Sequence, residues 1–106
     1  LTIHINNLEF FAIVGILKDE RTKTQRVVID CVIEYEKGFI DYADVVSFLK
    51  RTMREKEFGL LEDAIVFLAE SLKKIYDNIE EIELKITKPD ILSDCKVAVS
   101  KKFKFC

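Results

Sequence analysis

The sequence predicts an α+β domain: an antiparallel sheet of four strands, in the order ββααββ, with two helices on one face. Three observations carry this. Segments 2–14 and 25–36 near the start, and two more near the end, alternate apolar and polar residues with a period of two. Between them, residues 41–76 repeat apolar positions three and four apart, interrupted at Gly59. The links within each strand pair are short, which suits antiparallel neighbours with the helices on the apolar side.

In the first segment, TIHINNLEFFAIV, Ile3 and Ile5 share a face, and Leu8, Phe10, Ala12 and Val14 continue it in the other phase. An extra residue at Asn6-Asn7, a β-bulge, keeps all six on one side. In the second, Val27, Ile29, Cys31, Ile33 and Tyr35 face inward, while Arg26, Val28, Asp30, Val32 and Glu34 face outward. Asp41 opens the first helix with Asp44 as its capping-box-like partner. Val45, Phe48, Leu49, Thr52 and Met53 form the helix's buried stripe. A second helix runs from about Leu60 to Tyr76 on Leu61, Ile65, Leu68, Leu72 and Ile75. Ile82, Leu84 and Ile86 then mark the third strand. Cys95, Val97 and Val99, continuing toward Phe103 and Phe105, mark the fourth.

The chain of 106 residues fits one domain, 1–106, with 49% apolar and 34% charged residues. A net charge of −2 with interspersed signs argues against nucleic acid as a partner. The longest apolar run, FFAIVGIL, is too short to span a bilayer, and no signal-peptide pattern is present. Cys31, Cys95 and Cys106 read as reduced thiols of a cytoplasmic protein. With His4 as the sole histidine and no two cysteines at ligand spacing, no metal site is expected. The outward sheet face carries Arg26, Asp30, Glu34, Glu81, Glu83, Lys85 and Lys96 and must stay wet. Two open sheet edges are hazards, which edge-to-edge closure of several copies into a barrel would remove.

Five short motifs follow one another along these elements: IHINNLEFFAIVGIL at the start, Glu20-Arg21 after Gly15, YADV at 42–45, LLE at 60–62 and ITKP at 86–89. In this order they resemble the dihydroneopterin aldolase family of folate biosynthesis, enzymes of the tunnelling fold (T-fold). The resemblance covers almost the whole chain. It implies a homo-oligomer, tetramer or octamer, with active sites between subunits. It also implies a lyase that splits 7,8-dihydroneopterin into 6-hydroxymethyl-7,8-dihydropterin and glycolaldehyde without a cofactor. The chemistry is economical. The dihydropterin ring holds a C=N bond beside the carbon–carbon bond that breaks, so it acts as its own electron sink. The protein supplies an anchor and proton transfer.

The resemblance assigns residues to these tasks. Glu62, with Leu61 beside it, matches the pterin-binding position, since a carboxylate accepts two parallel N–H bonds. Lys88 matches the catalytic lysine, expected to move a proton at the 2′-hydroxyl. A neutral amine there would need burial or positive neighbours. Pro89 forces Lys88 into extended backbone at a strand end. Tyr42 matches the tyrosine that completes the site, in both binding and proton relay, from an adjacent subunit. Glu20, in the loop between the first two strands, is expected to orient Lys88 or the substrate hydroxyls through water. Gln25 matches a residue that often leads the second strand, with no catalytic role. Taken singly, each reads equally as a surface charge, a helix-start residue or a solvated strand end.

Departures from the family are Ile13-Val14 where Tyr-His is common, Thr24 where a glycine is common, and a short link between Asp30 and Tyr42. Two other readings stand beside the aldolase. One is a 2′-epimerase acting on dihydroneopterin or its triphosphate through the same enamine. The other is a non-catalytic α+β binding or assembly module in which the four polar residues do not converge.

Overall fold

The computed structural model describes residues 1–105. Cys106, expected as a reduced thiol, lies outside them. Strands β1 (Thr2–Ala12), β2 (Gln25–Tyr35), β3 (Ile79–Lys88) and β4 (Val97–Lys104) form one antiparallel sheet in sequence order. The expected bulge is present. Pairing of β1 with β2 shifts between Ile5 and Leu8, and Asn7 turns to φ 58°, a conformation asparagine tolerates better than most residues. Its N–H donates to Asp30 Oδ1 at 2.9 Å across the shift. Ile5, Phe10, Ala12 and Val14 therefore stay buried, with Ile3 and Leu8 packed at the margin.

Three helices are present where two were expected. A single-turn helix, α1 (Lys18–Thr22), fills the β1–β2 connection, so Glu20 sits on a helix and not in an open loop. Five residues carry no resolvable 3.6 period, which is why the pattern hid it. The long helices are α2 (Tyr42–Lys56) and α3 (Leu61–Ile75). Asp41 caps α2, its carboxylate accepting from the N–H groups of Ala43 (3.0 Å) and Asp44 (3.4 Å). The capping box is not reciprocal: the Asp44 carboxylate instead accepts from the Tyr76 hydroxyl at 2.9 Å. Glu57, in left-handed backbone, ends α2.

α2 packs over β1, and α3 over β3 and β4, all on one face of the sheet. The core between the layers is Val27, Ile29, Cys31 and Ile33 of β2 and Ile82, Leu84 and Ile86 of β3. They meet Val45, Leu49 and Met53 of α2 and Ile65, Leu68 and Leu72 of α3. Ile75 departs from its expected stripe: it is exposed at the last position of α3. Cys95 likewise lies outside β4 and is an exposed free thiol, whereas Cys31 is sealed in the core. Burial pushes the Cys31 thiol up to about 12, which leaves it unreactive. No helix of the described residues is long and apolar enough to cross a membrane.

Candidate active site

The site begins where β1 runs out. Past Ala12 the chain reaches buried Val14 and then Gly15, at φ +121°. The Gly15 N–H donates to the Phe58 carbonyl at 3.0 Å. Arg21 holds the same bend, its Nη1 donating to the carbonyls of Gly15 (3.0 Å) and Phe58 (3.3 Å). Glycine is required here twice over. The backbone angle belongs to glycine, and a Cβ would fall 2.1–2.2 Å from the carboxyl atoms of Glu20. The Gly15–Glu20 spacing thus has a physical meaning, since the space left by the missing side chain holds the carboxylate.

Glu20 is the one buried residue of α1, 8% exposed. Its Oε1 accepts from the Leu17 N–H at 3.2 Å. Its Oε2 accepts from Gln25 Nε2 and from Lys88 Nζ, both at 2.8 Å. Gln25 Nε2 also donates to the Val14 carbonyl at 2.8 Å, which fixes the amide that fixes the carboxylate. Burial pushes the Glu20 carboxyl up. The bonds from Lys88, Gln25 and Leu17 and the Lys88 charge outweigh it and leave the group below its ordinary range. Lys88 ends β3, and Pro89, lacking an N–H, stops the ladder there. The Lys88 and Glu20 side chains are 13% and 7% exposed, so this ion pair is shielded from solvent.

Beside the pair opens a pocket of about 350 Å³. Lys88 and Glu62 are its charged lining; Ile16, Leu60, Leu61, Ile91, Leu92, Val97 and Val99 are its apolar walls. Glu62 stands in the first turn of α3, where free N–H groups and the helix dipole favour an anion. Its carboxylate takes no part in the ion pairs of the described residues. An open, largely apolar pocket with an accepting carboxylate and a lysine at its edge suits a flat, uncharged heterocycle bearing N–H donors. Among the described residues no group of three or more His, Cys, Asp or Glu side chains is placed to hold a metal ion.

One chain therefore brings together Glu20, Lys88, Leu61 and Glu62. Tyr42 is not with them. It is the first residue of α2 and 65% exposed, and Asp44, two residues on, bonds Tyr76 at the far end of α3. Glu62 is at the near end, about 20 Å away along a 15-residue helix. Gln25, given no role by the sequence, is a further polar side chain that the structure brings to this corner. The signal was available: it is the polar member of the odd-numbered set that points Val27, Ile29, Cys31 and Ile33 into the core.

These features define a two-layer α+β domain of the T-fold type with a pocket at one end. The family model for dihydroneopterin aldolase (FolB) matches residues 3–101, and the chain belongs to that family. No curated protein matches the sequence. Among solved structures, the fold is similar to a Vibrio cholerae O1 biovar El Tor chain assigned as dihydroneopterin aldolase (TM-score 0.90, 19% identity, 99% of this chain and 98% of that one). It is also similar to Escherichia coli dihydroneopterin aldolase in complex with neopterin (0.88, 20%, 97% and 98%). A third is Burkholderia thailendensis dihydroneopterin aldolase bound to guanine (0.81, 20%, 100% and 92%).

Proposed function

We propose that the protein is a lyase that cleaves 7,8-dihydroneopterin by a retro-aldol reaction. The observation that carries the reading is the shielded Glu20–Lys88 pair at the edge of a pocket that also holds the free carboxylate of Glu62. The ligands of the two relatives support the anchor. Neopterin and guanine share a pyrimidine ring with a ring N–H beside an exocyclic amino group. Glu62 accepts those two N–H bonds with its two oxygens. Leu61 and the apolar walls cover the ring.

In the reaction the proton leaves the 2′-hydroxyl and the C1′–C2′ bond breaks. C2′ departs as the aldehyde of glycolaldehyde, and the bonding electrons pass through C6 to a protonated N5. The resulting enamine takes a proton on C1′, giving the hydroxymethyl group. Lys88 exchanges the proton at the 2′-oxygen, directly or through a water. Glu20 aims it, while Gln25 and the space at Gly15 hold Glu20 in turn. Lys88 is held by the Glu20 carboxylate, so substrate loosens the 2.8 Å pair as Lys88 turns toward the hydroxyl. Tyr42 reaches the pocket of another copy in a homo-oligomer, tetrameric or octameric, closed through the open edges of β1 and β4. There it relays the proton to the enamine carbon.

Incubation with 7,8-dihydroneopterin and separation of products tests this. The expected result is glycolaldehyde and 6-hydroxymethyl-7,8-dihydropterin in equal amounts, with no adduct trapped by borohydride. Only the 2′-epimer would make it an epimerase, and no conversion would leave a binding module.

A further inference from the structure

β2 opens with two polar residues whose side chains leave the strand on opposite faces: Gln25 bonds Glu20, the partner of Lys88, and Arg26 bonds Asp90, two residues past Lys88. Gln25 acts on the helix side, through Glu20. Arg26 acts on the polar side. Its Nε and Nη2 meet Asp90 Oδ2 and Oδ1 at 3.1 and 3.0 Å, and its Nη1 meets Glu9 Oε1 at 3.1 Å. A guanidinium that grips both oxygens of one carboxylate fixes orientation as well as distance. Hydrogen bonding from Arg26 holds the Asp90 carboxyl below its ordinary range.

Asp90 is separated from Lys88 only by Pro89, whose ring removes one backbone freedom. After Asp90 the chain has no regular structure until Val97, yet Ile91 and Leu92 in this stretch form one wall of the pocket. Among the described residues, the two Arg26–Asp90 bonds are the hydrogen bonds that tie this segment to the body of the molecule. The Ser93 hydroxyl bonds only its neighbour Asp94.

We infer that Arg26 and Asp90 are positioning residues: from the opposite face of the sheet their ion pair seats the Ile91–Leu92 wall and steadies the end of β3 that presents Lys88. The pair is partly open to solvent, at 34% and 58% side-chain exposure, so salt screens it. Affinity for an uncharged pterin then depends on ionic strength through the wall. The effect on ligand rests on the pterin reading above; the brace itself does not.

The test uses the full chain with Arg26→Gln, Asp90→Asn, the double variant, Arg26→Lys, and Glu9→Gln as a control on the third contact. Methyl order parameters of Ile91 and Leu92 read the brace without any ligand. They fall in both single variants, fall no further in the double one, recover partly with lysine, and hold in Glu9→Gln. Neopterin then binds about two- to fivefold more weakly in the single variants, the range of an exposed ion pair. KM rises with it, kcat falls by no more than the same few-fold, and melting temperature stays near wild type. The salt dependence of neopterin binding shrinks in the double variant. Unchanged methyl order in both single variants overturns the inference. If wild-type protein neither binds neopterin nor cleaves dihydroneopterin, the functional reading fails, and the methyl readout still decides the brace.

Discussion

At the end of the molecule where β3 meets Pro89, polar groups are packed against one another. At the opposite end, where α2 begins, aromatic side chains stand in water. The first end holds Glu20, Gln25, Lys88 and the Gly15 backbone in bonds of 2.8–3.2 Å with little solvent contact. The second presents Phe39 at 77% and Tyr42 at 65% exposure. This open end is not slack: buried Ile40 and the bond from Asn78 Nδ2 to the Lys37 carbonyl (2.7 Å) pin the segment that bears them. A rigid, exposed aromatic end opposite a half-walled pocket is the form expected of a chain whose site is shared between copies. The difference teaches which work one chain does alone. On the proposed reading, Lys88, Glu20 and the Glu62 anchor belong to one chain, while Tyr42 is supplied by another copy.

The comparison breaks most readily at Lys88. Lys88→Ala should lower turnover of dihydroneopterin about a hundredfold or more, the range for a lost acid–base group, with sedimentation the same as wild type. Turnover within a few fold of wild type would show that the packed end is only structural. Next comes Gly15→Ala, which strains the φ +121° backbone by about 1–3 kcal/mol and drives Glu20 off its site. Both melting temperature and turnover should fall, and a fall in stability alone would detach Glu20 from the chemistry. Glu62→Ala should weaken neopterin binding by about ten- to a hundredfold, since one charged acceptor of two bonds is lost. Its effect on melting temperature should be small, and calorimetric titration separates the two.

The smallest expected effect is on acid stability. Burial raises the Glu20 carboxyl, but its bonds to Lys88, Gln25 and Leu17 bring it below the ordinary 4.5. The folded value therefore lies beneath the unfolded one. The corner stabilises the fold fully above about pH 4.5 and loses that contribution as pH falls toward the folded value. Urea titrations should show wild type about 1–2 kcal/mol above Glu20→Gln at neutral pH, the gap closing below pH 4.5. A gap that does not close would mean that the carboxylate's charge contributes nothing.

Much of the fold is legible in the sequence because its signals are periodic. The alternation of β2 and β3 and the three-four spacing of α3 each bury one face, and burial is the dominant force that the pattern records. The Asn6-Asn7 bulge is legible for the same reason, as the phase change that keeps Ile5 and Phe10 on one side. Local exceptions are not. α1 is too short for a period, Ile75 is exposed at the last position of α3, and Asp44 finds Tyr76, a partner remote in sequence. The candidate site divides along the same line. Glu20, Glu62 and Lys88 are visible as motifs, but the seating of Glu20 against Lys88 depends on a glycine's missing Cβ. Gln25 is visible only as a polar residue in an apolar row. Arg26 and Asp90, 64 residues apart, carry no sequence signal for their pairing.

The central claim is that the packed end of one copy and the aromatic end of another make a single active site. Lys88→Ala and Tyr42→Phe proteins, each nearly inactive, can be mixed in equal amounts, dissociated and reassembled. Random assembly gives about a quarter of the sites both native residues, so the mixture should recover about a quarter of wild-type turnover. A reassembled mixture no more active than its components would contradict the account.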